Sequence, residues 1–235
     1  MFQKKLETMK VKTALILCAG YGKRLAPITN DIPKPLLKVK NINLLDNTLK
    51  FVKSIGINKI KINTFYLSEQ IKNFVEKQNY SLNIGIVNDG EKILDTGGGI
   101  CNLIKHSEEE DFLTLNPDTL WGSNYINIFN EMEKFYFKNK IKNLLMVVKK
   151  NRSFDVRFKG DFNLTENKLS KDNKNEFIYT GCQILNKKIF QNIKKNIFSM
   201  SEIWNDLSDK KELYGYESLN EFVHLTDIEI YKKLN

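Results

Sequence analysis

Residues 17–37 read LCAGYGKRLAPITNDIPKPLL, a loop that gathers two glycines, an arginine and a proline-flanked lysine directly behind the apolar run VKTALIL at 11–17. Gly20 and Gly22 let a backbone turn tightly and bring amide donors close to phosphate oxygens. Arg24 adds a planar fork of donors for the same oxygens. Lys34 stands between Pro33 and Pro35, which fix φ and push the residue before each toward extended backbone, so this lysine is predicted to be held out of a helix and aimed. A strand-to-loop turn with solvated cations would use a GxG pair equally well, and the pair alone decides nothing. The full spacing of glycines, arginine and Pro-Lys-Pro points instead to anion handling. The sequence GxxxxGK[ST] is absent, and Leu25 stands where GxGxxG requires its third glycine, which disfavours a P-loop kinase or an ordinary dinucleotide fold.

Outward from this loop, the β-branched runs at 11–17, 59–65, 82–87, 112–116, 144–149 and 177–185 read as strands, several continuous enough to be buried on both faces. Between them Leu45, Leu49, Val52 and Ile55 recur at helical spacing, as do Ile71, Phe74 and Val75, and then Tyr125, Ile128, Phe129, Met132 and Phe135. Alternating strands and helices predict an α/β, Rossmann-like three-layer fold around a mostly parallel central sheet with right-handed crossovers. Ligands in such sheets bind beyond the carboxyl ends of the strands, here after Leu17 and Leu115. The second half is less regular, a polar stretch at 151–176 followed by the 177–185 strand and further helices, and is expected to form a substrate lobe on the same sheet.

At 235 residues, one catalytic domain over 10–235 is expected, preceded by a tail at 1–9. No apolar run approaches the roughly 18 residues that span a bilayer, so a soluble protein without membrane association is predicted. The formal charge of +9 comes from scattered lysines, with no dense basic block or arginine-rich helix, and a nucleic-acid partner is not expected. Cys18, Cys101 and Cys182 lack CxxC spacing, which fits a reducing cytoplasm better than a disulfide framework or a zinc site. His106, in KHSEEED, reads as a surface residue.

The stretch from Leu17 onward resembles the pattern LxxGxGxRLxPLTxxxPKPLLPV of sugar-1-phosphate nucleotidyltransferases, with Ile28 in place of Leu and Lys38 in place of the later Pro. The resemblance extends through LDTGGGI at 94–100, NPD at 116–118 and GDF at 160–162, and is greatest to the short uridylyltransferases acting on N-acetylmuramate 1-phosphate. It implies the nucleotide-diphospho-sugar transferase fold, with a nucleotide-binding half at 10–120 and a sugar-binding half at 121–235. It places Ala19, Gly20, Gly22, Thr96, Gly97 and Gly98 on the nucleotide, Arg24 and Lys34 in catalysis, and Thr180 and Gly181 beside the sugar. The glycines at 97–99 are expected to form a loop opening onto a helix.

Asp118 lies at the ligand edge, where a carboxylate suits Mg²⁺ (or Mn²⁺); as a bare residue after Pro117 it is equally ordinary turn chemistry. FVHLTD at 222–227 aligns with the family's W-V-D-V-G-T, so His224 replaces the second metal-binding aspartate. An imidazole there weakens the site, changes its metal preference or abolishes turnover; alternatively His224 is a strand-end residue before a helix capped by Thr226 with Glu229. The partners implied are a nucleoside triphosphate, UTP by this resemblance, and a sugar 1-phosphate. A guanylyl- or cytidylyltransferase, and a noncatalytic nucleotide-sugar-binding module, remain as alternatives. The hexapeptide-repeat helix of bifunctional relatives is not seen, and a second activity is not expected.

Overall fold

The apolar runs assemble into one nine-stranded sheet. The computed structural model describes residues 10–78 and 80–235; the expected tail at 1–9 lies outside the described residues. The strands are β1 (Thr13–Leu17), β4 (Lys59–Thr64), β5 (Asn83–Asn88), β6 (Asp111–Leu115), β7 (Asn143–Lys149), β8 (Asn163–Thr165), β9 (Lys168–Ser170), β10 (Phe177–Asn186) and β11 (Tyr214–Ser218), with β2 (Lys38–Val39) and β3 (Ile42–Asn43) forming a separate ribbon. In the sheet order β5-β4-β1-β6-β10-β7-β11-β9-β8, strands β5, β4, β1, β6, β7, β11 and β8 run one way, while β10 and β9 run against them. The mostly parallel sheet is thus as expected, and the polar stretch 151–176 contributes β8 and β9 to its edge.

Alternation along the strands sorts the core into two layers. Ala14 and Ile16 of β1 face the side covered by α1 (Leu44–Ser54), α2 (Ser68–Lys77) and α4 (Asn124–Lys138), whose Leu45, Leu49, Ile71, Phe129 and Met132 are buried there. Leu15 faces the other side, under Ile100 and Leu103 of α3 (Asp95–Ile104) and Ile203 and Leu207 of α5 (Met200–Asp209). A smaller cluster unites Leu25 of the glycine-containing loop with Leu37, Leu225 and two residues of α6 (Ile228–Leu234), Ile230 and Leu234. The C-terminal helix therefore braces the loop that follows β1.

Three local expectations are corrected. Lys34 opens a 3-10 turn, Lys34–Leu36, and is not extended: Leu36 N–H donates to Pro33 O and Leu37 N–H to Lys34 O, while Pro35 falls where a first turn needs no donor. Gly97–Gly99 lie inside α3 and not in a loop before it. Asp227 caps α6, not Thr226, because its Oδ1 accepts from the N–H groups of Glu229 and Ile230.

Candidate active site

Beyond the carboxyl ends of β1 and β6 opens a cavity of about 400 Å³, walled by Ala19, Gly20, Gly22, Arg24, Lys34, Thr96 and Asp118 among others. The sheet places it where the strand directions require, with the loop after Leu17 on one side and the turn after Leu115 on the other. Gly22 sits at φ +66°, and a Cβ there would come within 2.9 Å of the Thr29 side chain and 3.2 Å of Lys34 Cβ. Glycine at this position is therefore what lets Thr29 and Lys34 fold back against the loop. Around Gly20 nothing lies within 4 Å of an added Cβ, so its backbone stands open to the cavity.

The loop is held from outside as well as from below. Tyr66 Oη–H donates to the carbonyls of Thr29 and Asn30, and Gln70 Nε2–H to that of Asp31. Leu25 is fully buried against the α6 cluster, which leaves its neighbour Arg24 exposed at the cavity. Among the described residues the Arg24 guanidinium has no carboxylate partner, a free donor fork aimed at whatever enters.

Asp118 meets Lys34 and His224. Its Oδ2 accepts from Lys34 Nζ at 2.5 Å, and its Oδ1 lies 3.6 Å from His224 Nδ1 and accepts no hydrogen bond. Burial penalises the charge on Asp118, but the neighbouring His224 and Lys34 outweigh it and hold the carboxyl at about 2. Burial pushes His224 below its ordinary range, with Lys34 and Arg24 adding to this against the attraction of Asp118. The imidazole thus carries charge only in acid, where it helps hold Asp118 down, and near neutral pH Lys34 is the cation beside that carboxylate.

The tautomer of His224 follows from its neighbours. Thr119 Oγ1 spends its one hydrogen on Thr180 O at 2.8 Å, so at 3.2 Å from His224 Nδ1 it can only accept. Nδ1 therefore carries the hydrogen and faces Thr119 and Asp118 with it, leaving the lone pair on Nε2. The ring is stacked on Phe222 and edged by Phe158. Backbone hydrogen bonds from Leu120 N–H to Val223 O and from Leu225 N–H to Asp118 O pair the two segments and fix this contact.

The remaining sequence-predicted residues divide between the cavity and the packing behind it. Thr96 lines the cavity and its Oγ1 accepts from Met200 N–H. Gly97 and Gly98 do not line it: both amides donate to Phe198 O, and added Cβ atoms would fall 2.3 Å from the Phe198 ring and 2.1 Å from Asn196 O. They are glycines because α3 packs on the 196–198 segment. Thr180 is fully buried, donating its hydroxyl to Met146 O. Gly181, at φ +87° in the irregularity of β10, lies against Asn116, whose N–H donates to its carbonyl. This pair thus supports the turn that carries Asp118 from behind and does not line the cavity. His106 is exposed beyond α3, as expected.

Asn63 is a cavity residue that the sequence reading passed over. Its Oδ1 accepts from Cys18 N–H at 2.9 Å and its Nδ2 donates to buried Asp89 at 3.0 Å, fixing the end of β1. Its signal was an amide interrupting the apolar run KIKINTF at the ligand edge of the sheet. Burial pushes the Cys18 and Asp89 groups up from their ordinary values, so the Cys18 thiol stays protonated.

Known proteins share this arrangement of chain. The family profile described as "Nucleotidyl transferase" matches residues 13–214. An N-acetylmuramate alpha-1-phosphate uridylyltransferase of Caulobacter vibrioides is 23% identical over 223 residues, covering 92% of each chain. A D-glycero-alpha-D-manno-heptose 1-phosphate guanylyltransferase of Aneurinibacillus thermoaerophilus is 25% identical over 227 residues, 94% of this chain and 95% of that protein. The crystal structure of HddC from Yersinia pseudotuberculosis complexed with GMP-PN superposes with a TM-score of 0.76 at 22% identity, covering 95% of this chain and 98% of that one, which shows the same fold. With the match running from β1 to the start of β11 and taking in the loop, the cavity and Asp118, the chain belongs to the nucleotidyl transferase family.

Proposed function

We propose that the chain transfers a nucleoside monophosphate from a triphosphate to a sugar 1-phosphate and releases pyrophosphate, with UTP and N-acetylmuramate 1-phosphate as the leading pair. The observation that carries this reading is the convergence of the free Arg24 guanidinium and the Lys34–Asp118 pair on one cavity floored by the glycine-containing loop. The uridylyl relative is similar over nearly the whole chain, but the guanylyl relative is similar to the same degree, so GTP with a heptose 1-phosphate is the second pair.

A phosphate monoester is already anionic near neutral pH and needs no general base to attack the α-phosphate in line. The protein's task is to align two mutually repelling anions and to neutralise the charge that develops. Arg24 and the Gly20 backbone face the cavity and suit the triphosphate oxygens. Lys34 supplies a mobile ammonium on a backbone fixed by two prolines. The nucleotide is assigned to the half at 10–120 and the sugar to the half at 121–235, in a cytoplasmic enzyme.

For a divalent cation, Asp118 fits: its Oδ1 is a buried carboxylate oxygen with no protein partner. Among the described residues no group of three or more His, Cys, Asp or Glu side chains is placed to hold a metal unaided. Mg²⁺ is accordingly expected to take Asp118, substrate phosphate oxygens and water, as this ion commonly does. When bound it would supply charge neutralisation at the phosphates. His224 turns its Nδ1–H toward Thr119, with no lone pair facing Asp118, and is assigned to holding the turn that carries this carboxylate. Among the described residues no helix is long and apolar enough to cross a membrane.

Pyrophosphate release over ATP, GTP, CTP, UTP and dTTP, each with a panel of sugar 1-phosphates and Mg²⁺ or Mn²⁺, tests the reading. Release that depends on both substrates supports it. Nucleotide binding without turnover under every pairing would instead favour a binding module whose metal site was lost with the replacement at His224.

A further inference from the structure

Lys34 and a divalent cation want the same carboxylate. Oδ2 of Asp118 is taken by Lys34 Nζ, and Oδ1 is closed to solvent with the N–H side of His224 3.6 Å away. The Lys34 and Asp118 side chains are only 14% and 17% exposed. A hydrated cation in the cavity therefore meets an ammonium before it meets a carboxylate. Two full positive charges cannot share one buried carboxylate without strong repulsion, because little water is present to screen them.

Lys34 is nevertheless built to let go. Its backbone is fixed between Pro33 and Pro35 in a 3-10 turn packed close against Gly22, while its four-carbon stem can swing. A triphosphate entering beside Arg24 offers the ammonium several anionic oxygens. Once Lys34 turns to them, Asp118 is a buried, unpaired carboxylate, a costly state that a cation relieves. We infer that Lys34 is the resident cation of Asp118, and that a divalent ion gains this carboxylate only as a triphosphate draws the ammonium away, so that metal and nucleotide bind together and not metal first.

This coupling rests on reading the cavity as a nucleotidyl-transfer site. Its test is Mn²⁺ binding to nucleotide-free protein, followed by electron paramagnetic resonance of free Mn²⁺. The native chain should bind Mn²⁺ weakly. Lys34→Met should bind it at least about tenfold more tightly, since the ion then meets an unpaired buried charge. Lys34→Arg, which keeps the positive charge, should stay weak, and adding Asp118→Asn to Lys34→Met should abolish the gain. Circular dichroism checks folding, and Lys34→Gln replaces the methionine variant if that one does not fold.

Native protein that binds Mn²⁺ as tightly as Lys34→Met, or a gain that survives Asp118→Asn, overturns the inference. Pyrophosphate release by the native enzyme is read separately. Turnover without any gain in Lys34→Met removes the coupling and leaves nucleotidyl transfer standing. A gain without turnover on any substrate pair supports the coupling and removes the functional reading.

Discussion

His224 Nδ1 lies 3.6 Å from Asp118 Oδ1, held there by the backbone pairing of residues 118–120 with 223–225. Because the Thr119 hydroxyl is committed to Thr180 O, the nitrogen facing Asp118 is the one that bears hydrogen. The chain has only two histidines, so ¹⁵N NMR of a His106→Gln variant reports His224 alone. A neutral Nδ1–H tautomer at pH 7 is expected. An Nε2–H tautomer would mean that His224 presents a lone pair to Asp118 and would return it to the set of direct metal ligands.

Arg24 has no carboxylate partner among the described residues, and removing it should disturb little besides the substrate. Arg24→Ala is expected to lower turnover on the order of 100-fold or more with an unchanged circular dichroism spectrum. Lys34→Ala should do the same, through loss of a phosphate-directed cation. Native-like rates in both variants would remove these residues from the chemistry.

Gly98 is expected to be a packing residue, not a nucleotide contact. Its added Cβ would lie 2.1 Å from Asn196 O, a backbone atom that cannot turn aside. Gly98→Ala should therefore destabilise the fold by about 1–3 kcal/mol, as overpacking does, and thermal melting reads this directly. Unchanged melting with a large rise in the triphosphate KM would instead put Gly98 against the nucleotide.

Asp155 and Arg157 tie the loop that carries Phe158 to the first turn of α6. Hydrogen bonds from Arg157 hold the Asp155 carboxyl at about 2, against the penalty of burial. Arg157 also reaches Asp227 and Glu229. A depressed carboxylate stabilises the fold fully above its unfolded value of about 4 and loses that contribution as pH falls through the folded one. Asp155→Asn should melt below the native protein at pH 7, the gap narrowing from about pH 4 and closing near pH 2. A gap that does not change with pH would assign the loss to packing alone.

Much of the fold was legible because each apolar run was long enough to show its period. The runs around Ile16, Ile62 and Leu113 gave parallel strands, and the stripe at Tyr125, Phe129 and Met132 gave α4. Strand β11 was missed because YGYES alternates weakly, with only Gly215 and Ser218 buried. The loop at 17–37 announced the cavity through residue types with few other uses at that spacing. What stayed hidden depended on contacts distant in sequence: Phe198 against Gly97, Asn116 against Gly181, and Asn63 beneath Cys18. No local pattern distinguishes a glycine that admits a ligand from one that admits a neighbouring side chain.

The most direct measurement is ³¹P NMR of the native protein with Mg²⁺, one nucleoside triphosphate and one sugar 1-phosphate, taken pair by pair beginning with UTP and N-acetylmuramate 1-phosphate. The expected result is the appearance of a nucleotide-sugar diphosphate ester and pyrophosphate in equal amounts, for at least one pair and only when both substrates are present. Triphosphate hydrolysed to nucleoside mono- or diphosphate with no ester formed, or no change for any pair, would contradict nucleotidyl transfer to a sugar phosphate.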